Sequence, residues 1–444
     1  MHAPRRQAAA LTVFDLFYGA VGLLAAACVI PVAAWRARRD GAAGARWRGR
    51  LALGAVPVPI GNGPRVLFHG VSLGEVKLVA PLLRALTAVG AKLDPLITST
   101  TPAGLAEAER LFAEQPRAVW PIDFPTCPGR FLAKAKPQSV ILLEHELWPT
   151  FLRQAARRSI PVAVVSGRFS QKSANRCSSV AEVAARRLSA VELFAMQSEP
   201  HAERLRRLRV PDSRIVICGN VKFDGLPDPR AVPSAELRRC LGIEPGEQVV
   251  VAGSTHGPEE GALARAAAAL RQQGLERVRW IFVPRHTQRS EALEQEITSI
   301  LGPPARLTRL RAGAPAPSAG TPILIDTLGE LESVYRFATI AFVGGSLGND
   351  RGGQNMLEPA ALGVPVLHGP RVANFIEAAE LLQSAGASMV VADEAALQAA
   401  LAEWLRNPEE AARRGAAGRA ALEPHRGASA RIARELLDRG LVAR

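Results

Sequence analysis

The sequence predicts an α/β protein made of two doubly wound, Rossmann-like domains with a cleft between them. Three observations carry this. From Arg65 onward, short apolar runs alternate with helical stretches, the pattern of a parallel sheet built from βα units. At 444 residues the chain is too long for one core and fits two domains of ordinary size. Between the two series of runs, Val221 to Ser234 (VKFDGLPDPRAVPS) concentrates Pro, Gly and charge, as a linker does.

The chain begins with an uncharged run from Leu16 to Trp35, just long enough to cross a bilayer. Arg5 and Arg6 precede it, and Arg36, Arg38, Arg39, Arg46, Arg48 and Arg50 follow. That excess of arginine on the C-terminal side argues for a main body in the cytoplasm. A cleaved signal peptide is the rival reading. A lipoprotein site at Cys28 fits poorly, because the apolar run continues past the cysteine. We expect an uncleaved membrane anchor, spanning or interfacial, over residues 1–47 with its basic flank.

RVLFHG is the first strand, and a helix is expected to begin near Glu75. LDPLITS is the second, with a helix behind it capped by Thr100 or Thr101. RAVWPIDFP, QSVILLEHELWP, IPVAVVSGRFS, AVELFAM and RIVICGN continue the sheet of a domain over 48–220. A linker spans 221–245. The second domain, 246–425, opens with QVVVAGSTH and an alanine-rich helix. RWIFVPRH, PILID, ATIAFVGGS and GVPVL follow, with SMVVA as a last short strand. A long helical stretch fills the space after VPRH, and RAGAPAPSAG reads as a surface loop. Residues 426–444 are expected to form a helix packing back across the domains.

Ligands of such sheets sit outside the carboxyl ends of strands. In the first domain that places Ser72, Gly74 and Glu75, Thr100 and Thr101, Glu144 and Glu146, and Arg168 at one edge, with Lys222 just beyond. Alternation puts Glu144 and Glu146 on one side of an extended chain and His145 on the other. Either carboxylate could orient a substrate or pair with a cation. Lys222 and Arg168 could meet phosphates or form structural ion pairs. In the second domain, Ala341 to Phe375 joins a strand, five glycines and a helix start. Free N–H groups and the helix dipole make such a junction a seat for phosphate. Glu358 on that helix start suits the two hydroxyls of a ribose. With Asn355 and Pro359, the stretch reads as a sugar-nucleotide site. Arg285 is the best clamp for a phosphate or carboxylate, since a guanidinium pairs bidentately with either. Ser254, His256, His286, Gly329, Glu330, Gly344, Gly345, Ser346, Gly353 and Asn374 complete the expected donor edge.

Composition excludes several alternatives. A net charge of +14 suggests an anionic partner, nucleic acid, a membrane surface or a phosphorylated substrate; with aromatics at 5% and no basic run interleaved with them, nucleic acid is the weakest of the three and is not expected. The five cysteines are odd in number and far apart, without metal-ligand spacing, so no disulfide framework or zinc site is expected. No GxGxxG follows the first strand, which argues against a dehydrogenase.

Motifs along most of the chain, from about Arg48 to Leu437, resemble the Kdo transferases of glycosyltransferase family 30. HGVSLGEV, STTPAG, PIDFP, ILLEHELWP, SGRFSQKS, GNVKFD, GSTH, VPRH, DTLGEL and GGQNMLEPAALG occur in the family's order. Gln354 and Arg371 stand where histidine is commoner. The resemblance implies the GT-B arrangement and inverting transfer of 3-deoxy-D-manno-octulosonic acid (Kdo) from CMP-Kdo to a lipid A precursor. It also implies a site at the cytoplasmic face of the inner membrane, with Glu75 as general base; on its own, Glu75 reads better as a charge complementing a helix dipole. No DxD-like motif is present and no cofactor is implied, so transfer is expected without a metal. A GT-B enzyme using a UDP-sugar, a nucleotide-sugar epimerase and a silent nucleotide-binding module are the alternatives.

Overall fold

The computed structural model describes residues 39–444 apart from 58, 60, 62, 145, 146, 179, 180 and 349, together with residues 12, 17–22, 24 and 31 of the N-terminal segment. The chain divides into two compact units, Met1–Gly225 with His425–Arg444, and Leu226–Pro424.

The first unit holds seven strands: β1 (Arg65–His69), β2 (Asp94–Ser99), β3 (Arg117–Val119), β4 (Ser139–Leu143), β5 (Val162–Gly167), β6 (Val191–Met196) and β7 (Ile215–Ile217). They pair in parallel in the order β3-β2-β1-β4-β5-β6-β7. Every residue of β1 and β4 is buried, which is why these strands read as unbroken apolar runs. Alternate residues feed opposite faces. Leu67 and Val140 join Phe131 and Phe151 in one core, while Phe68 and Ile141 join Leu78 and Leu82 in another. Ile432 and Leu436 of the C-terminal helix Ala428–Asp438 are fully buried in that second core. Each is worth about 1.5–3 kcal/mol of apolar burial. The Asp224 carboxylate accepts from the N–H groups of Gly427 and Ser429 and so holds the start of this helix. The last segment of the chain therefore belongs to the first unit.

The second unit repeats the plan with β8 (Val249–Thr255), β9 (Arg279–Pro284), β10 (Ala305–Arg306), β11 (Ile323–Leu324), β12 (Ile340–Val343), β13 (Val366–His368) and β14 (Ser388–Val390). Their order is β10-β11-β9-β8-β12-β13-β14, again parallel throughout. β10 lies inside what reads as a continuous helical stretch, and two residues are too few to show a period. The expected linker contains a 3₁₀ turn, Val221–Phe223, and a helix, Ala235–Cys240.

The expected span from Leu16 to Trp35 lies mostly outside the described residues. Among those described, no helix is long and apolar enough to cross a membrane. Tyr18 hydrogen-bonds to the buried Asp123, and Gly19 and Gly22 pack on Pro125 and Phe124. Phe17, Val21 and Leu24, spaced to share one helix face, are 68%, 47% and 72% exposed.

Candidate active site

Each sheet grows outward in both directions from its first strand, from β1 toward β2 and β4 and from β8 toward β9 and β12, and a doubly wound sheet opens its crevice at such a reversal. In the first unit the reversal lies between β1 and β4. The helix Leu73–Ala88 starts directly after β1, with Ser72 as its N-cap. Ser72 Oγ accepts from the Glu75 N–H at 3.4 Å, and Glu75 Oε2 accepts from the N–H groups of Val71 and Ser72. This capping box buries Glu75 to 9% exposure and fixes its carboxylate over the end of β1. Gly70 makes room for it, since a β-carbon there would lie 2.9 Å from Glu75 Cβ. Gly74 occupies the first turn between cap and carboxylate.

Thr101 caps the next helix, Pro102–Leu111, accepting from Gly104 N–H at 3.1 Å. The hydroxyls of Thr101 and Ser99 both donate to the Val71 carbonyl at 2.9 Å, tying the two loops together. Thr100, between them, has a buried hydroxyl with no partner. Glu144 follows β4 at a φ of +59°, and its carboxylate meets Lys222 Nζ at 2.7 Å. Two readings were open for this pair, and the structure shows an ion pair. Glu146 and His145 lie outside the described residues. Arg168 is exposed, with its N–H on the Glu144 carbonyl. Ser166 and Ser254 share the positive φ of Glu144, at +51° and +52°. All three stand at strand ends on the edges where ligands are expected, and such strained residues cluster at functional sites.

In the second unit the order reverses between β8 and β12. Here the structure supplies a residue that the sequence reading passed over. Glu259, 1% exposed, begins the helix Glu259–Arg271 behind β8. Its Oε2 accepts from His256 N–H at 2.9 Å and Gly345 N–H at 2.8 Å; its Oε1 accepts from Ser346 and Leu347 N–H, both at 2.9 Å. The loop N–H groups that look like a phosphate seat in the sequence are thus engaged by the chain's own carboxylate. Gly344 permits this approach, since a β-carbon there would lie 2.7 Å from Glu259 Oε2. The signal was the acid pair after Pro258, indistinguishable in sequence from ordinary first-turn charge.

The same loop is knitted from its other side. Ser346 Oγ donates to the Val343 carbonyl and accepts from Gly369 N–H, both at 2.8 Å. Gly353, at φ +80°, donates to the Gly345 carbonyl at 2.7 Å, a backbone position that favours glycine. Asn374 Nδ2 donates to the Arg351 carbonyl at 2.9 Å. Asn355 Nδ2 donates to Glu358 Oε1 at 2.9 Å, orienting the carboxylate expected to take a ribose. Gly253 gives space to the buried Tyr335, whose hydroxyl would lie 1.9 Å from a β-carbon there.

Cations gather at the same edge. Arg285 follows β9 with an exposed side chain and its N–H on the Thr255 carbonyl. The His256 and His286 rings are 5.5 Å apart, edge to face. Burial, reinforced by Arg351, His286, Arg289 and Arg285, pushes His256 down to a pKa of about 4. At neutral pH it is therefore an uncharged imidazole, and its Nε2 is buried without a partner. Arg289 is committed to Glu260 through two bonds of 3.0 and 3.1 Å. Glu330, beside Gly329 at φ +86°, pairs with Arg311 at 2.7 Å. Among the described residues, no cluster of His, Cys, Asp or Glu could hold a metal ion.

Two parallel seven-stranded sheets with acids, cations and a glycine-rich loop at their carboxyl edges define the GT-B class. The solved UDP-GlcNAc 2-epimerase from Neisseria meningitidis bound to UDP-GlcNAc shares this fold. It superposes with a TM-score of 0.54 at 16% identity, covering 85% of this chain and 99% of its own. A family model described as 3-deoxy-D-manno-octulosonic-acid transferase (kdotransferase) matches residues 45–225. The 3-deoxy-D-manno-octulosonic acid transferase of Bordetella pertussis is 32% identical over 420 residues, 91% of this chain and 95% of that one. The Haemophilus influenzae enzyme of the same name is 30% identical, covering 83% of this chain and 85% of its own. The chain belongs to the 3-deoxy-D-manno-octulosonic acid transferase family and is a glycosyltransferase.

Proposed function

We propose that the protein moves Kdo from CMP-Kdo to a lipid A precursor in lipopolysaccharide biosynthesis, with inversion and without a metal. The observation that carries this reading is the chain-long similarity to Kdo transferases, 32% over 91% of the chain. Glu75 is the general base. An acceptor hydroxyl attacks the anomeric carbon of Kdo, the bond from that carbon to the phosphate oxygen of CMP breaks, and the hydroxyl proton passes to Glu75. The capping box supports this role by holding the carboxylate in one orientation at the reversal between β1 and β4. On the second unit, Arg285, His286 and the neutral imidazole of His256 meet the phosphate of the leaving CMP, and Glu358 takes the ribose hydroxyls. Ser254, Gly329, Glu330, Gly344, Gly345, Ser346, Gly353, Asn355 and Asn374 shape that donor edge. Ser72, Gly74, Thr100, Thr101, Glu144, Glu146, Arg168 and Lys222 shape the acceptor edge.

The decisive experiment is Glu75→Gln, assayed by mass spectrometry of the product formed from CMP-Kdo and a lipid A precursor. Glutamine keeps the capping geometry but cannot take the proton. Transfer should fall roughly 10²–10⁴-fold, while the fold loses only about 0.3–1 kcal/mol of dipole complement. Near-normal turnover in Glu75→Gln beside a dead Glu144→Gln would move the base to Glu144. A UDP-sugar accepted in place of CMP-Kdo would overturn the donor assignment.

We further propose that the enzyme works at the cytoplasmic face of the inner membrane and that its N-terminal helix lies on that surface. Support comes from Phe17, Val21 and Leu24 facing outward while Tyr18 and Gly22 pack inward on the first unit. Deleting residues 1–40 should abolish co-flotation with liposomes; unaltered flotation would place the anchor elsewhere.

A further inference from the structure

Arg50 closes the helix Gly41–Arg50, in a stretch whose arginines read in sequence as a flank of the membrane segment. The structure puts it elsewhere. Gly49 lets the helix press on the edge of the first sheet, since a β-carbon there would lie 2.8 Å from Val119 Cβ. Ile122 N–H donates to the Arg50 carbonyl at 2.8 Å and fixes the helix end beyond β3. The guanidinium thereby reaches the carboxyl end of β2, where Nη1 donates to the Thr100 carbonyl at 3.4 Å. Its Nε is buried without a partner, and so is the hydroxyl of Thr100.

No carboxylate among the described residues pairs with Arg50, and burial alone lowers its pKa. The neighbour that feels its charge is His69, itself held neutral by burial and stacked on Trp120 at 3.7 Å. Trp47 offers its ring at a marginal 6.0 Å. A half-buried guanidinium without a counter-ion carries an uncompensated desolvation cost, which an entering anion would offset. The other ion pairs of this edge are already closed, Lys222 on Glu144 among them.

We propose that Arg50 is a specificity-determining residue that seats a phosphate group of the acceptor at the carboxyl end of β2, with the Thr100 hydroxyl as a second donor. The proposal rests on the acceptor reading above and can fail independently of it.

The test compares two acceptors, a phosphorylated lipid A precursor and the same molecule after phosphatase treatment. Both are assayed at saturating CMP-Kdo, in micelles free of anionic phospholipid so that no headgroup substitutes. Arg50→Gln should raise KM for the phosphorylated acceptor roughly 10–150-fold, the range of a charge-assisted contact, with kcat little changed. On the dephosphorylated acceptor, wild type and Arg50→Gln should have the same KM. The denaturation midpoint should not fall, because an unpaired charge has been removed; a structural arginine would lower it. Arg50→Lys should recover part of the KM loss, and it is read in the same comparison if the glutamine variant does not fold. Equal losses on both acceptors, or an unchanged KM for the phosphorylated acceptor, would overturn the assignment. A wild-type chain that transfers no Kdo would overturn the underlying function instead.

Discussion

Glu259→Gln is the most exacting test of the donor edge, because one side chain closes four backbone N–H groups. Each carboxylate oxygen takes two of them: His256 and Gly345 on Oε2, Ser346 and Leu347 on Oε1. A glutamine has one oxygen, so it keeps two donors, and its NH₂ then faces the other two. Two buried N–H groups lose their acceptor at about 1–3 kcal/mol each, and the two retained bonds weaken from charged to neutral. The total is about 3–6 kcal/mol, a large share of the roughly 5–15 kcal/mol that holds a domain together. The loss falls on the loops after β8 and β12, where the donor's phosphate is expected. Denaturant unfolding should show a lower midpoint, and calorimetric titration should show CMP affinity reduced at least about tenfold, or 1.4 kcal/mol. Glu259→Asp should not rescue, since the shorter side chain cannot reach all four donors from the helix start. A Glu259→Gln protein with wild-type midpoint and wild-type CMP affinity would refute the reasoning, because it would mean that these four bonds contribute nothing.

Arg285→Ala and Glu358→Ala should each weaken CMP binding by about 1.5–3 kcal/mol by titration calorimetry; unchanged affinity in both would move the donor site off this edge. Stability should also depend on pH in a way that separates three buried groups. Burial holds His69 down to about 3 and His256 to about 4, so below the ordinary histidine value of about 6.5 only the unfolded chain takes up these protons. Their stabilisation is whole above that value and is lost as pH falls toward 4, by up to about 1.4 kcal/mol per pH unit for each. Asp123 runs the other way. Burial raises it to about 7, so its protonated form favours the fold and that contribution disappears as pH rises from about 4 to 7. Asp123→Asn should therefore steepen the acid loss relative to wild type in denaturant titrations between pH 4.5 and 6.5; parallel curves would remove Asp123 from the balance.

The strands were legible because a sheet covered on both faces favours apolar runs, and β1, β4, β8 and β12 are buried almost throughout and each carries one. Their carboxyl ends, and hence Glu75, Glu144 and the glycine loop, follow from where each run stops. What the sequence withheld was pairing across long separations. β10 has two residues, too short for any period, and its place beside β11 depends on contacts with distant strands. Lys222 could meet a substrate or a carboxylate with equal right until Glu144, far upstream, came within 2.7 Å. Arg50 carried the same letters as the membrane flank around it; only the press of Gly49 on Val119 turns it inward.

Glu259 was missed for a reason that also bears on Glu75. Both acids stand just past the first strand of their sheet, at the start of the helix that follows, where an acidic residue is expected for the dipole alone. In both, the carboxylate turns back onto loop N–H groups: Val71 and Ser72 for Glu75, and four donors drawn from two loops for Glu259. Sequence shows the acid and the helix start but not how many N–H groups converge, since three of the four at Glu259 come from a segment more than eighty residues away. The Glu259 carboxylate, holding four donors from two loops, is a structural tie between them. Glu75 sits in a capping box that glutamine can also form, whereas a single glutamine oxygen cannot take all four donors of Glu259. On the proposed mechanism, proton transfer thus falls to the first sheet and loop architecture to the second.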